Sequence, residues 1–118
     1  YFSGDGGYDE RFKKVRERFG NVDWALIENG QYNEDWAYIH MMPEQVVQAI
    51  RDLAPRHVLP IHNSKFALAR HEWDEPLRLL SAAAERENLP LLTPRIGEVV
   101  LLNNKTQTFD RWWEEVKD

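Results

Sequence analysis

The tetrapeptide Gly4-Asp5-Gly6-Gly7 sets a carboxylate in a glycine-bracketed turn directly after an apolar, strand-like opening, Tyr1-Phe2-Ser3. Glycines permit positive φ and close backbone approach, so such a turn can present Asp5 from a strand end to something bound. His62 stands in the same relation to a second predicted strand, His57 to Ile61, and opens the polar turn His62-Asn63-Ser64-Lys65. In α/β sheets functional groups collect at the carboxyl ends of strands. A hard or borderline divalent cation accepts carboxylate oxygen and neutral imidazole, which makes Asp5 and His62 candidate metal donors. The competing readings are an Asp5 that caps the helix starting near Asp9 and a His62 that is an ordinary loop histidine. Two donors without an HxH or HxxxH cluster leave these readings open.

Other chemistries fail on detail. The glycine turn lacks the full G-x-G-x-x-G pattern and a P-loop Lys-Ser/Thr, so it is not a nucleotide cradle. An EF-hand loop needs alternating acids and a closing Glu, and the apolar helix pattern after Tyr8 denies it. Ser3 and Ser64 lie in no G-x-S-x-G elbow. Cysteine is absent, which removes disulfides and thiolate metal sites together.

The elements that must position these residues follow from pattern. Asp9 to Phe19 carries Phe12, Val15 and Phe19 at helical spacing, with Asp9 as N-cap and Gly20 after the last turn. Val22 to Ile27 is a compact apolar run that reads as a buried strand, ending at Glu28-Asn29-Gly30. Pro43 at the first helical position and the stripe Val46, Val47, Ile50, Leu53 predict a helix that stops before Pro55. Phe66 to Ala69 is read as a helical turn. Asp74-Glu75-Pro76 starts a helix with Leu77, Leu80, Ala84 and Leu89 on one face, ending near Asn88. Val99 to Leu102 reads as a last strand, and Phe109 to Val116 as a terminal acidic helix. This alternation favours an α/β layer arrangement.

The 118 residues, 42% hydrophobic, suffice for one modest core. A formal charge of -5 argues against a nucleic-acid partner, because phosphate binding needs clustered Lys and Arg. The aromatic set Trp24, Trp36, Tyr38 and Trp73 is not interleaved with basic residues, so it reads as core and pocket wall. No apolar run approaches the roughly 20 residues that span a bilayer. A chain that opens without Met, at the edge of an active-site turn, is expected to be a segment of a longer protein.

Taken in order, Gly4-Asp5-Gly6-Gly7-Tyr8, Phe19-Gly20 with Asp23-Trp24-Ala25, Glu28-Asn29-Gly30-Gln31-Tyr32, His40-Met41-Met42-Pro43-Glu44 and Leu59-Pro60-Ile61-His62 resemble the metallo-β-lactamase-fold hydrolases. The branch most similar holds N-acyl-phosphatidylethanolamine phospholipase D, L-ascorbate-6-phosphate lactonase-like proteins and RomA-like bacterial proteins. The resemblance runs from Tyr1 to about Glu98. It implies a four-layer αββα sandwich of which residues 1–118 form the C-terminal half, with an HxHxDH motif in an N-terminal half outside this chain. It further implies that Asp5 bridges two metals, that His62 is the last metal-binding histidine, and that His40 lines the substrate side as the catalytic residue of this chain. The metals implied for the full-length protein are two Zn, Mn or Fe ions, with none or an incomplete set held by this chain alone.

Departures from the family pattern sharpen the expectation. Gly6 replaces the usual Thr or Ser, and Asn63-Ser64-Lys65 replaces Trp-Gly-Thr after His62. Asn63 and Lys65 become candidate substrate-binding residues, Lys65 as a cation that steers an anionic substrate, against the plain alternative of an exposed loop lysine. His71, in a segment similar to a bacterial subgroup, is either a surface histidine or a contact behind the site.

The leading expectation is a fragment of a metal-dependent hydrolase that uses a metal-bound hydroxide on a phosphodiester, lactone or other ester. The alternative is a non-catalytic interaction or self-association module built on a half-fold. Partners expected are the N-terminal half of the same protein, a second copy of the chain, and a small-molecule or lipid-like ester substrate. The resemblance points to a cytoplasmic or membrane-associated bacterial protein.

Overall fold

The computed structural model describes residues 1–116. Two five-residue strands, β1 (Trp24–Glu28) and β2 (His57–Ile61), pair in parallel with Trp24 opposite His57 and Glu28 opposite Ile61. Each has a further parallel neighbour on its outer side. Phe2 bridges Leu26, held by Leu26 N–H to Tyr1 O at 2.8 Å and Ser3 N–H to Leu26 O at 2.9 Å. Leu91 bridges Val58 in the same way. The lateral order is therefore Phe2, β1, β2, Leu91, all parallel, so the carboxyl ends of these stretches lie at one edge.

Helices α1 (Arg11–Phe19), α2 (Pro43–Leu53) and α3 (Glu75–Glu87) supply the covering layer. Ala25, Ile27 and Val58 are fully buried in one cluster with Phe12 of α1, Val46, Ile50 and Leu53 of α2, and Leu80 and Ala83 of α3. The α2 stripe buries as its spacing dictates. At its start Pro43 needs no amide partner, and the Gln45 side chain accepts from Met42 N–H at 2.8 Å. The opposite sheet face carries Trp24, Leu26, Leu59 and Ile61, all half-buried, beside Phe2 at 64% exposed. It is apolar and incompletely covered.

Several expectations are corrected. Helix α1 begins two residues after Asp9, whose carboxylate accepts from Arg11 N–H at 2.8 Å instead of capping as the residue before the first turn. Phe19 is 71% exposed and does not belong to the α1 core stripe. Phe66 to Ala69 forms no helical turn, and Val99 to Leu102 forms no strand. The sheet position beside β2 goes to Leu91, which follows α3 closely enough to pair as soon as that helix ends at Asn88, φ 55°. The terminal helix α4 is short, Trp112–Val116. Tyr38, expected on a pocket wall, is 98% exposed. Among the described residues no helix is long and apolar enough to cross a membrane.

Candidate functional site

Three chain stretches end together at the carboxyl edge of the sheet. After Phe2 the backbone turns at Gly4, φ 70°, a conformation costly for residues with a Cβ, and Asp5 follows. Asp5, Phe2, Gly4, Ile61 and His62 line one cleft of about 370 Å³. His62 itself takes φ 64° as β2 ends, turning the chain across the sheet edge. The strands bearing Asp5 and His62 are not adjacent: β1 lies between them, and its last residue is Glu28.

Glu28 is fully buried. A buried carboxylate is tolerated only when its oxygens are satisfied, and here they are: Oε2 accepts Met41 N–H at 3.0 Å, and Oε1 pairs with His40 Nδ1. Its own amide donates to Ser3 Oγ at 2.9 Å. Burial holds the Glu28 carboxyl above the usual carboxylate range, opposed by the Met41 amide and by His40. His40 arrives on the loop before α2, which packs where Gly7 has no side chain; a Cβ at Gly7 would lie 2.3 Å from Tyr38 O. The His40 ring stacks on His62, centroids 5.1 Å apart and planes at 27°. His62 is exposed, yet partial desolvation and then the neighbouring His40 push its imidazole below the ordinary pKa, against the Asp5 charge, which favours the neutral form that binds metals.

Glu28, His40 and His62 each offer one ligand-type atom within 4.8 Å of the others. The oxygens of Glu28 are already engaged by Met41 and His40. Asp5 and His62 differ in this respect: among the described residues neither side chain makes a hydrogen bond, so a carboxylate and an imidazole on one cleft keep their donor atoms free. That donor set fits a divalent cation.

The remaining candidates are locally engaged. Asn63 donates to Ile61 O at 3.2 Å and accepts from Ser64 Oγ at 2.6 Å. Lys65 is exposed, its ammonium 5.6 Å from the Phe66 ring centroid. His71 stacks on Tyr32 and accepts Gln31 N–H at Nε2, 3.0 Å, while its Nδ1 faces Glu72 O at 2.8 Å. Its ring, held at both nitrogens and stacked on Tyr32, thus serves as a brace for the β1 exit.

Two residues escaped the sequence reading. Glu28 carried a signal, an acid directly abutting an apolar strand run with no turn residue between them. Gln31 carried a weaker one. Its backbone takes φ 58°, its carbonyl accepts Trp36 Nε1–H at 2.6 Å, and its side-chain oxygen accepts Leu68 N–H at 2.7 Å and Ala69 N–H at 3.2 Å. It ties the loop after His62 to the loop that leads to His40.

Parallel strands layered with helices, and metal-type donors at their carboxyl edge, define an α/β protein with a candidate metal site. A profile described as the Beta-lactamase superfamily domain matches residues 1–63. Outer membrane protein RomA of Klebsiella pneumoniae is 56% identical over 62 residues, 52% of this chain and 47% of that protein. An uncharacterized Mycobacterium tuberculosis protein is 39% identical over 103 residues, 85% of this chain and 28% of its own length. The mitochondrial N-acyl-phosphatidylethanolamine-hydrolyzing phospholipase D of Saccharomyces cerevisiae is 35% identical over 89 residues, 72% of this chain and 19% of that enzyme. The chain belongs to the β-lactamase superfamily, in its metallo-β-lactamase-fold branch. It spans about half the length of RomA, at 47%, and smaller shares of the other two.

Proposed function

We propose that the protein carrying this chain is a metal-dependent hydrolase of a phosphodiester, lactone or other ester, in which Asp5 and His62 hold metal and His40 faces the substrate. The observation that carries this reading is the meeting of Asp5, His62 and His40 at one sheet edge, with the donor atoms of Asp5 and His62 uncommitted among the described residues. Membership of a family that includes a phospholipase D supports the ester class.

A bound divalent ion would supply Lewis acidity and lower the pKa of coordinated water. The chain's own residues supply the rest. Asp5 contributes anionic oxygen, His62 neutral imidazole nitrogen, and His40 a ring nitrogen at hydrogen-bonding reach of a substrate seated in the cleft. Zinc, manganese and iron all suit such donors. Further donors and the cover for the half-buried sheet face would come from the remainder of the protein, so the isolated chain is expected to hold metal weakly.

Metal analysis and ester and phosphodiester assays on the whole protein and on residues 1–118 test this. Stoichiometric metal and turnover in the whole protein, with little of either in the isolated chain, is the expected result. A whole protein that is purified metal-free, takes up no divalent ion and hydrolyses no ester would refute it.

A further inference from the structure

We propose that Glu28 is the positioning residue that fixes the ring of His40, holding its proton at Nδ1 so that Nε2 is the nitrogen presented to the substrate. The proposal rests on the reading of His40 as the substrate-facing residue.

The argument starts from burial. A carboxylate with no solvent exposure at the end of a strand is costly unless both oxygens have partners, and a hydrophobic residue would fill the same volume without that cost. Glu28 is held from three directions: by β1 itself, by Ser3 Oγ at its amide, and by Met41 N–H at Oε2. This leaves Oε1 with a single direction, and His40 Nδ1 stands in it. In this arrangement the Met41 amide and His40 favour the ionised carboxylate against the cost of its burial, and an oxygen that only accepts requires hydrogen on the nitrogen facing it. Stacking on His62 sets the plane of the ring, and the Glu28 contact sets its rotation within that plane. Among the described residues nothing hydrogen-bonds to Nε2. A carboxylate that orients a histidine through its far nitrogen is the arrangement by which imidazoles are poised at metal and acyl-transfer sites. Here its members are Glu28 and His40, separated by one strand end and one loop.

The discriminating variant is Glu28→Gln. It preserves volume and can still accept from Met41 N–H, but its amide group then offers N–H to His40 Nδ1, which must become the acceptor. The proton moves to Nε2, the wrong nitrogen for the neutral ring. In the whole protein, ring ¹³C and ¹⁵N NMR shifts should show neutral His40 protonated at Nδ1 in the wild type and at Nε2 in Glu28→Gln. Turnover of the variant should fall by about 10- to 100-fold, the range seen when such supporting partners are removed. KM and metal content should stay within about twofold of wild type if positioning alone is lost. Combined with His40→Ala, Glu28→Gln should add no further loss, since the two act as a unit.

A wild-type His40 protonated at Nε2, an unchanged tautomer in Glu28→Gln, or additive losses in the double variant would each overturn the proposal. If Glu28→Gln does not fold, the wild-type tautomer alone decides. If the wild type hydrolyses no ester, the functional reading falls while the NMR measurement still judges Glu28.

Discussion

Gly30, two residues beyond β1, lies against the carbonyl of His62: a Cβ placed on Gly30 would sit 2.4 Å from that oxygen and 3.2 Å from Asn63 Cβ. The exits of the two strands are packed backbone to backbone, and the absent side chain lets Asn29 N–H reach Ile61 O at 2.9 Å. Gly30→Ala must push the His62 turn away from the sheet edge. The expected cost is about 1–3 kcal/mol, typical of overpacking a close-packed site, with weakened metal retention although no ligand has changed. Urea unfolding and metal content of the variant measure both; a variant as stable and as metal-loaded as wild type would show that the turn yields freely.

Gln31 extends the same logic to the loop that follows His62. Its side chain satisfies Leu68 and Ala69 amides and donates to Phe66 O, substituting for the secondary structure this loop lacks. Gln31→Leu removes these bonds and leaves backbone groups unpaired, at a cost of about 1–3 kcal/mol. Hydrogen exchange should speed up at Leu68 and Ala69 and stay slow at Ala25 to Ile27 of β1. Uniform acceleration throughout the chain would mean that Gln31 supports the whole fold and not this loop in particular.

Much of the frame was legible because local signals agreed with the tertiary outcome. The β-rich run His57 to Ile61 is β2 as read, and Pro43 with the Val46, Val47, Ile50, Leu53 stripe delimits α2. Asp5 and His62 were singled out by their position after strands, and both line one cleft. What failed depended on distant partners. Val99 to Leu102 has strand composition, but the place beside β2 is taken by Leu91, nearer in sequence to the end of α3. Glu28 looks like the start of a polar loop until Met41 and His40, 13 and 12 residues on, close over its carboxylate. Tyr38 looks like a wall residue, yet Gly7 seats the backbone of its loop and leaves the ring outside.

Tyr8 and Asp52 give a test of stability by pH away from the site. The Tyr8 hydroxyl donates to Asp52, which also accepts from Gln48 Nε2 at 2.8 Å. That bond, with burial and the Asp52 charge, raises the phenol from 10.0 to about 12. A folded pKa above the unfolded value gives stability that is whole below pH 10 and lost as pH rises toward 12. Tyr8→Phe should therefore be less stable by about 1 kcal/mol at neutral pH, the typical net worth of one hydrogen bond, and the gap should narrow through this alkaline window. Denaturant titrations of both proteins at pH 8 to about 12 follow it; a constant gap would assign the loss to packing and not to the bond.

Asp5 lines one cleft with His62, and His40 stacks on His62, but the two carry different commitments, and the difference predicts opposite phenotypes. Asp5 makes no hydrogen bond among the described residues, so its carboxylate has no evident task in the fold, whereas His40 is tied to Glu28 and stacked on His62. Asp5→Asn in the whole protein exchanges an anionic donor for a neutral amide with little change in shape. The expected result is loss of metal and of ester hydrolysis together, with the unfolding midpoint of the metal-free protein unchanged. His40→Ala should retain metal, because Asp5 and His62 remain, and should lower turnover by about 10²- to 10⁴-fold, the range for a positioned acid or base. Paired metal and rate measurements separate the two roles. Full metal and activity in Asp5→Asn would remove Asp5 from the site, and metal loss in His40→Ala would make His40 a ligand, transferring to it the role that the open nitrogen of His62 now supports.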